Sequence, residues 1–266
     1  MRRLWKAAAA LIAGLLLIVA YRLITTRREL TGANYYIART GRLLREFDHI
    51  VARVRHVVDA RYGLLATNHM VDDARREYED LIPQIPYVGG KQPFTQFLIY
   101  TALYIALYRA MRNMGMSLEE TGKLLYEASD LYINRFPRFL YSIFGRMNFS
   151  PRYIEAVQHR AEESQARKYP GDWVFEFVPG DDASFDYGID YTECGACKFM
   201  AAQDALELAP YLCPVDRLYS EKLGWGLKRT STLAEGGSRC DFRFKQGGET
   251  QVESTVLPEA EAEVVA

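Results

Sequence analysis

Residues 173–193 read WVFEFVPGDDASFDYGIDYTE, and here the hydrophobic period changes. Trp173, Phe175 and Phe177 alternate with Val174, Glu176 and Val178, and Pro179 to Asp182 supplies turn residues before a second alternating run from Ser184 to Glu193. Period two bounded by Pro, Gly and Asp is the mark of strands, so this stretch predicts an antiparallel pair. Working outward on the C-terminal side, Gly195 to Leu208 reads as helix, Pro210 and Pro214 bracket a turn, and a further helical piece runs to Leu223. Two more strands are expected over Leu227–Leu233 and Arg239–Lys245, separated by Glu235-Gly236-Gly237.

On the N-terminal side the period is helical. Leu43, Phe47, Ile50, Val54 and Val57 recur every three or four residues within Tyr36–Arg61, which predicts an amphipathic helix. Pro93 opens a run to Met114 that is apolar on nearly every face, too short and too rich in tyrosine for a membrane span, so a buried central helix is expected. Gly115 suits a C-cap, and Ser117 with Glu120 has capping-box spacing for a helix to about Asn134. Ser150 before Pro151 starts another helix to about Lys168. A helical part over 36–168 followed by a mainly antiparallel sheet with a helical excursion over 172–247 is α+β.

Two flanking segments lie outside that domain. Ala7 to Ala20 (AAAALIAGLLLIVA) has no polar side chain, and Leu4, Trp5, Tyr21, Leu23 and Ile24 extend it to the length a helix needs to cross a bilayer. The residues after it lack a small-x-small cleavage site, so residues 1–28 are expected to be a transmembrane anchor rather than a signal peptide. Arg27, Arg28, Arg39, Arg42 and Arg45 tilt the orientation toward a cytoplasmic domain at the cell membrane. The acidic tail over 248–266 has no aromatic residue and no period, and is expected to be disordered.

The charge balance, 33 basic against 34 acidic residues, offers no general attraction to a phosphate backbone, which argues against a nucleic-acid partner. All four cysteines, Cys194, Cys197, Cys213 and Cys240, fall near the C-terminal end, too few for a disulfide framework. Thiolates at such turns could close around a divalent metal such as zinc or manganese, although the spacing lacks the second Cys-x-x-Cys of a zinc ribbon. Cys194 could instead act as a nucleophile, since it stands at the start of a helix with Lys198 one turn on. Asp216 lies one helical turn after Cys213, placed for general acid–base work or for an ordinary N-terminal role. Arg229 and Arg243 lie on strands expected to pair, and either could grip a carboxylate through two hydrogen bonds.

The stretches FDYGIDYTECGACKFM (185–200) and LAPYLCPVDRLYSEKLGWGLKRTSTLAEGGSRCDFRF (208–244) resemble the L-2-amino-thiazoline-4-carboxylic acid hydrolase family. The matching pattern is Cys194, Cys213 with Asp216, Arg229 with Thr230 and Thr232, Gly236, and Cys240 with Asp241, Phe242 and Arg243. Cys197 falls outside it. The resemblance implies ring-opening hydrolysis of a small cyclic amidine at a non-peptide C–N bond. It implies Cys194, Cys213, Asp216, Cys240 and Asp241 as catalytic residues and Arg229, Thr230, Thr232 and Arg243 as substrate-binding ones; Lys198, one turn from Cys194, is a further candidate for substrate binding. Cys194, Cys213 and Cys240 remain the candidate metal ligands. Two other readings stay open: a membrane-tethered module that binds a small ligand or metal without turnover, and an accessory subunit of a membrane complex.

Overall fold

The computed structural model describes residues 30–256 apart from 135, 136 and 182, with the side chain of Arg138 also left aside. The expected anchor lies outside the described residues. Among those described, no helix is long and apolar enough to cross a membrane.

A compact unit begins at Gly32. Its helices are α1 (Ala33–Ile37), α2 (Thr40–Tyr62), α3 (Leu64–Leu81), α4 (Pro93–Asn113), α5 (Leu118–Ile133), α6 (Arg138–Met147) and α7 (Pro151–Ser164). The expected caps are present. Ser117 Oγ accepts from Glu120 N at 3.1 Å, Ser150 Oγ accepts from Tyr153 N at 3.4 Å, and Gly115 takes the left-handed conformation that ends α4. Leu98, Ala102, Ile105 and Ala106 of α4 are each fully buried, so the apolar run is a core helix, as its length implied. Helices α3 and α6 were not foreseen. The α6 sequence RFLYSIFGRM leaves Phe139, Ile143, Phe144 and Met147 exposed.

The second half forms a five-stranded sheet in the order β1-β2-β4-β3-β5, with β1 (Val174–Pro179), β2 (Tyr187–Glu193), β3 (Lys228–Arg229), β4 (Cys240–Phe244) and β5 (Gln251–Val252). Neighbours pair antiparallel except β3 with β5, so the sheet is mixed and the class is α+β. Phe175, Tyr187, Ile189 and Phe244 are buried on one face, and α7 packs against β1. Three further helices lie within this half: α8 (Gly195–Ala202), α9 (Ala209–Leu212) and α10 (Val215–Leu223).

Three boundaries differ from expectation. Helix α8 stops at Ala202 rather than Leu208, because Asp204 takes a positive φ of 52° and the Ala205 N–H turns back to Met200 O. The strand expected over Leu227–Leu233 is two residues long, because the N–H groups of Thr230 and Ser231 bond the Asp241 carboxylate instead of a neighbouring strand. The tail is ordered at least to Val256. Val252 is 1% exposed in β5, and Arg217 Nη2 donates to its carbonyl, so buried packing and backbone pairing hold a segment whose composition suggested disorder. Residues 257–266 lie outside the described residues.

Candidate active site in a cavity between helices and sheet

Helix α8 begins where β2 ends, and Cys194 occupies its N-cap. The helix can sit there because residue 195 is glycine. A Cβ at that position would meet Gly171 O at 2.2 Å and the Trp173 ring at 2.6 Å. Cys194 Sγ accepts from Cys197 N at 3.5 Å. A hydrogen bond from the Cys197 thiol, with further ones from the backbone N–H groups of Cys197 and Ala196 and from the Trp173 side chain, outweighs burial and brings the Cys194 thiol down to about 7. The other thiols move the opposite way. Cys197 is raised because its own hydrogen bond to Cys194 favours the protonated form. Burial raises Cys213 well above its ordinary value and Cys240 to about 11, although Leu233 N donates to Cys240 Sγ at 3.2 Å.

Cys213 and Asp216 stand one turn apart at the start of α10, and Arg229 reaches both. Its Nη1 donates to Cys213 O at 2.9 Å and to Asp216 Oδ2 at 2.6 Å. Arg229 is 1% exposed, and its Nε and Nη2 have no hydrogen-bond partner. Each unused buried donor costs about 1–3 kcal/mol, an expense uncommon away from functional sites. Burial raises the Asp216 pKa despite the Arg229 guanidinium beside it. The side chain of Asp216 nevertheless keeps 37% of its surface accessible, and it lines an internal cavity, which is where that surface faces.

That cavity, about 430 Å3, brings together Cys194, Cys197, Cys213, Asp216, Arg229 and Cys240. Trp173, Tyr191 and Phe242 form its aromatic wall at this end, and Tyr153 and Arg160 of α7 also line it. Five expected residues do not reach it: Lys198, Thr230, Thr232, Asp241 and Arg243 are absent from its lining. Strand alternation accounts for the last two. Successive side chains of β4 point to opposite faces, so Cys240 and Phe242 face the cavity while Asp241 and Arg243 face away. Arg243 Nη1 bonds Asp190 Oδ1 at 2.7 Å, and Asp241 holds Thr230 N, Thr230 Oγ1 and Ser231 N. Thr232 caps a short 3-10 turn by accepting from Glu235 N, and Lys198 Nζ bonds Glu193 and the Asp172 carbonyl. These groups stand outside the cavity lining.

Cys197, Tyr191, Tyr153 and Arg160 were missed. The Cys-x-x-Cys spacing at a helix start carried a signal for Cys197; nothing in the sequence marked the other three. Among the described residues, no group of three or more His, Cys, Asp and Glu side chains is arranged to hold a metal ion.

The model of the L-2-amino-thiazoline-4-carboxylic acid hydrolase family matches residues 96–244, from the core helix α4 to the end of β4. The chain belongs to this family. The matched span contains every cavity-lining residue with a thiol or a carboxylate named above. No curated protein and no solved structure matches the chain. Membership in the hydrolase family agrees with a small-molecule cavity and with the α+β order of elements.

Proposed function

We propose that the chain is a hydrolase that opens a small cyclic amidine, such as 2-amino-thiazoline-4-carboxylate, at a non-peptide C–N bond. The observation that carries this is Cys194. It is the one cysteine whose thiol is shifted toward the thiolate at neutral pH, and it shares a cavity with a buried carboxyl and a guanidinium that has unused donors. In this reading Cys194 Sγ attacks the ring carbon between sulfur and nitrogen, and Asp216, its pKa raised by burial, delivers a proton to the ring nitrogen as the C–N bond breaks. Asp216 then takes a proton from water, which adds to the same carbon and expels the Cys194 thiolate. The products balance as substrate plus one water. Arg229 anchors the substrate carboxylate through its free edge, which is closed to solvent until the ligand enters.

The test uses purified full-length protein and follows ring opening by loss of ultraviolet absorbance. Cys194→Ser and Asp216→Asn are each expected to lower kcat by at least about 100-fold with the circular dichroism spectrum unchanged. Turnover that survives Cys194→Ser would remove the nucleophile from the mechanism. Tight binding without turnover in the wild-type chain would favour a ligand-binding module. We further propose that residues 4–24 tether the protein to the cell membrane, with the domain on the cytoplasmic side.

A further inference from the structure

The cavity does not end at the reactive groups. Along α4 its lining includes Phe94, Phe97, Thr101, Tyr104, Leu107 and Met111, spaced every three or four residues on one helical face. At 1.5 Å per residue this face runs roughly 25 Å. Phe94 stacks on Trp173 at 4.6 Å between ring centroids, and Trp173 bonds Cys194, so the Phe94 end is the reactive end and Met111 marks the far end. The opposite wall beyond the reactive groups is mostly aliphatic, with Val54 and Val58 of α2, Met70 of α3 and Leu125 of α5.

A single small heterocycle does not account for this space. About 430 Å3 lies within the roughly 300–1,000 Å3 of pockets that enclose drug-sized ligands. Native interiors are otherwise packed to the density of organic crystals, so an apolar space of this length leaves dispersion contacts unmade unless something fills it. Resting on the hydrolase reading above, we infer that the substrate is an amphiphile. Its ring and carboxylate sit against Cys194, Asp216 and Arg229, and an elongated apolar tail on the exocyclic nitrogen of the amidine lies along α4 toward Met111. A 2-alkylamino-thiazoline-4-carboxylate has this form. Adding one water at the 2-carbon and breaking its ring C–N bond releases the S-(N-alkylcarbamoyl)cysteine.

The full-length chain in phosphatidylcholine nanodiscs, with empty nanodiscs as the blank, is titrated by calorimetry with 2-methylamino-, 2-hexylamino- and 2-undecylamino-thiazoline-4-carboxylate. Affinity is expected to rise roughly two- to fourfold per added methylene until the tail fills the cavity. Leu107→Phe should move the best chain length shorter and Leu107→Ala longer. If either variant fails to fold, the wild-type series still decides. Affinity that is flat across the series, or Leu107 variants that change all three ligands equally, would overturn the inference. Binding is read without turnover, so the two claims separate. Ring opening of the methylamino compound with no gain along the series leaves the hydrolase standing and removes the tail. Rising affinity with no ring opening does the reverse.

Discussion

Cys197 acts on the acidity of Cys194. Its thiol and backbone N–H both point hydrogen bonds at the neighbouring sulfur, and removing the thiol leaves burial less opposed. Cys197→Ala is therefore expected to raise the Cys194 pKa from about 7 toward its ordinary value of 9.0. The sign is direct: reactivity follows the thiolate, which accumulates as pH rises through the pKa, so the rising limb of iodoacetamide alkylation against pH shifts to higher pH. A limb that stays in place would show that the backbone donors alone set the acidity. Arg243 makes the contrasting case. It balances Asp190, 8% exposed and directly opposite Asp241 in the β2–β4 register, with Arg239 as a second partner at 3.4 Å. Arg243→Ala should cost about 1–3 kcal/mol in urea unfolding, because a buried carboxylate loses its main partner, and should leave KM nearly unchanged. A large KM increase at unchanged stability would return Arg243 to the binding site.

At the scale of elements, the last ordered strand matters more than its length suggests. β5 pairs with β3, which carries Arg229, and Glu253 N continues the pairing to Arg229 O at 3.0 Å. On α10, Arg217 holds the Val252 carbonyl, so the segment ties the Asp216 helix to the Arg229 strand. Val252→Ala is expected to lower stability by about 2 kcal/mol, the loss of buried methyl groups plus the space they leave. A truncation after Gly247 should cost more and weaken ligand binding as well, measured by denaturant melts and calorimetry. Composition concealed this strand, since an acidic stretch without aromatic residues can still supply one buried valine and a set of backbone hydrogen bonds. Composition was more informative about helices: the capping serines, the proline at the first position of α7 and the left-handed glycine after α4 each have a local physical cause, and each is found where the sequence placed it.

For the whole molecule, the apolar N-terminal run and the cavity lead to one expectation each about location and substrate. Full-length protein should partition with membranes and resist high salt and alkaline carbonate extraction, and a chain lacking residues 1–28 should be recovered in the supernatant. Extraction of the full chain by salt alone would exclude a hydrophobic tether. The helical half supplies more than support for the sheet. One face of α4 lines the same cavity as Cys194, so the amphipathic helices and the strand-bearing motifs enclose one space.

By itself the sequence determined the period of the core helix α4 and of strands β1, β2 and β4, the α+β order, the helix caps and the residues of the family motif, because backbone preference and local hydrogen bonding act over a few neighbouring positions. It also placed Cys194 at a helix start and Asp216 one turn after Cys213. Only the tertiary structure decided which motif residues meet. The parity of β4 sends Cys240 toward the cavity and Arg243 away from it, a two-residue strand buries Arg229 against Asp216, and Cys197 becomes the partner of Cys194. Facing, burial and the emptiness of the space between helices depend on contacts between residues far apart in the chain, and no local pattern records them.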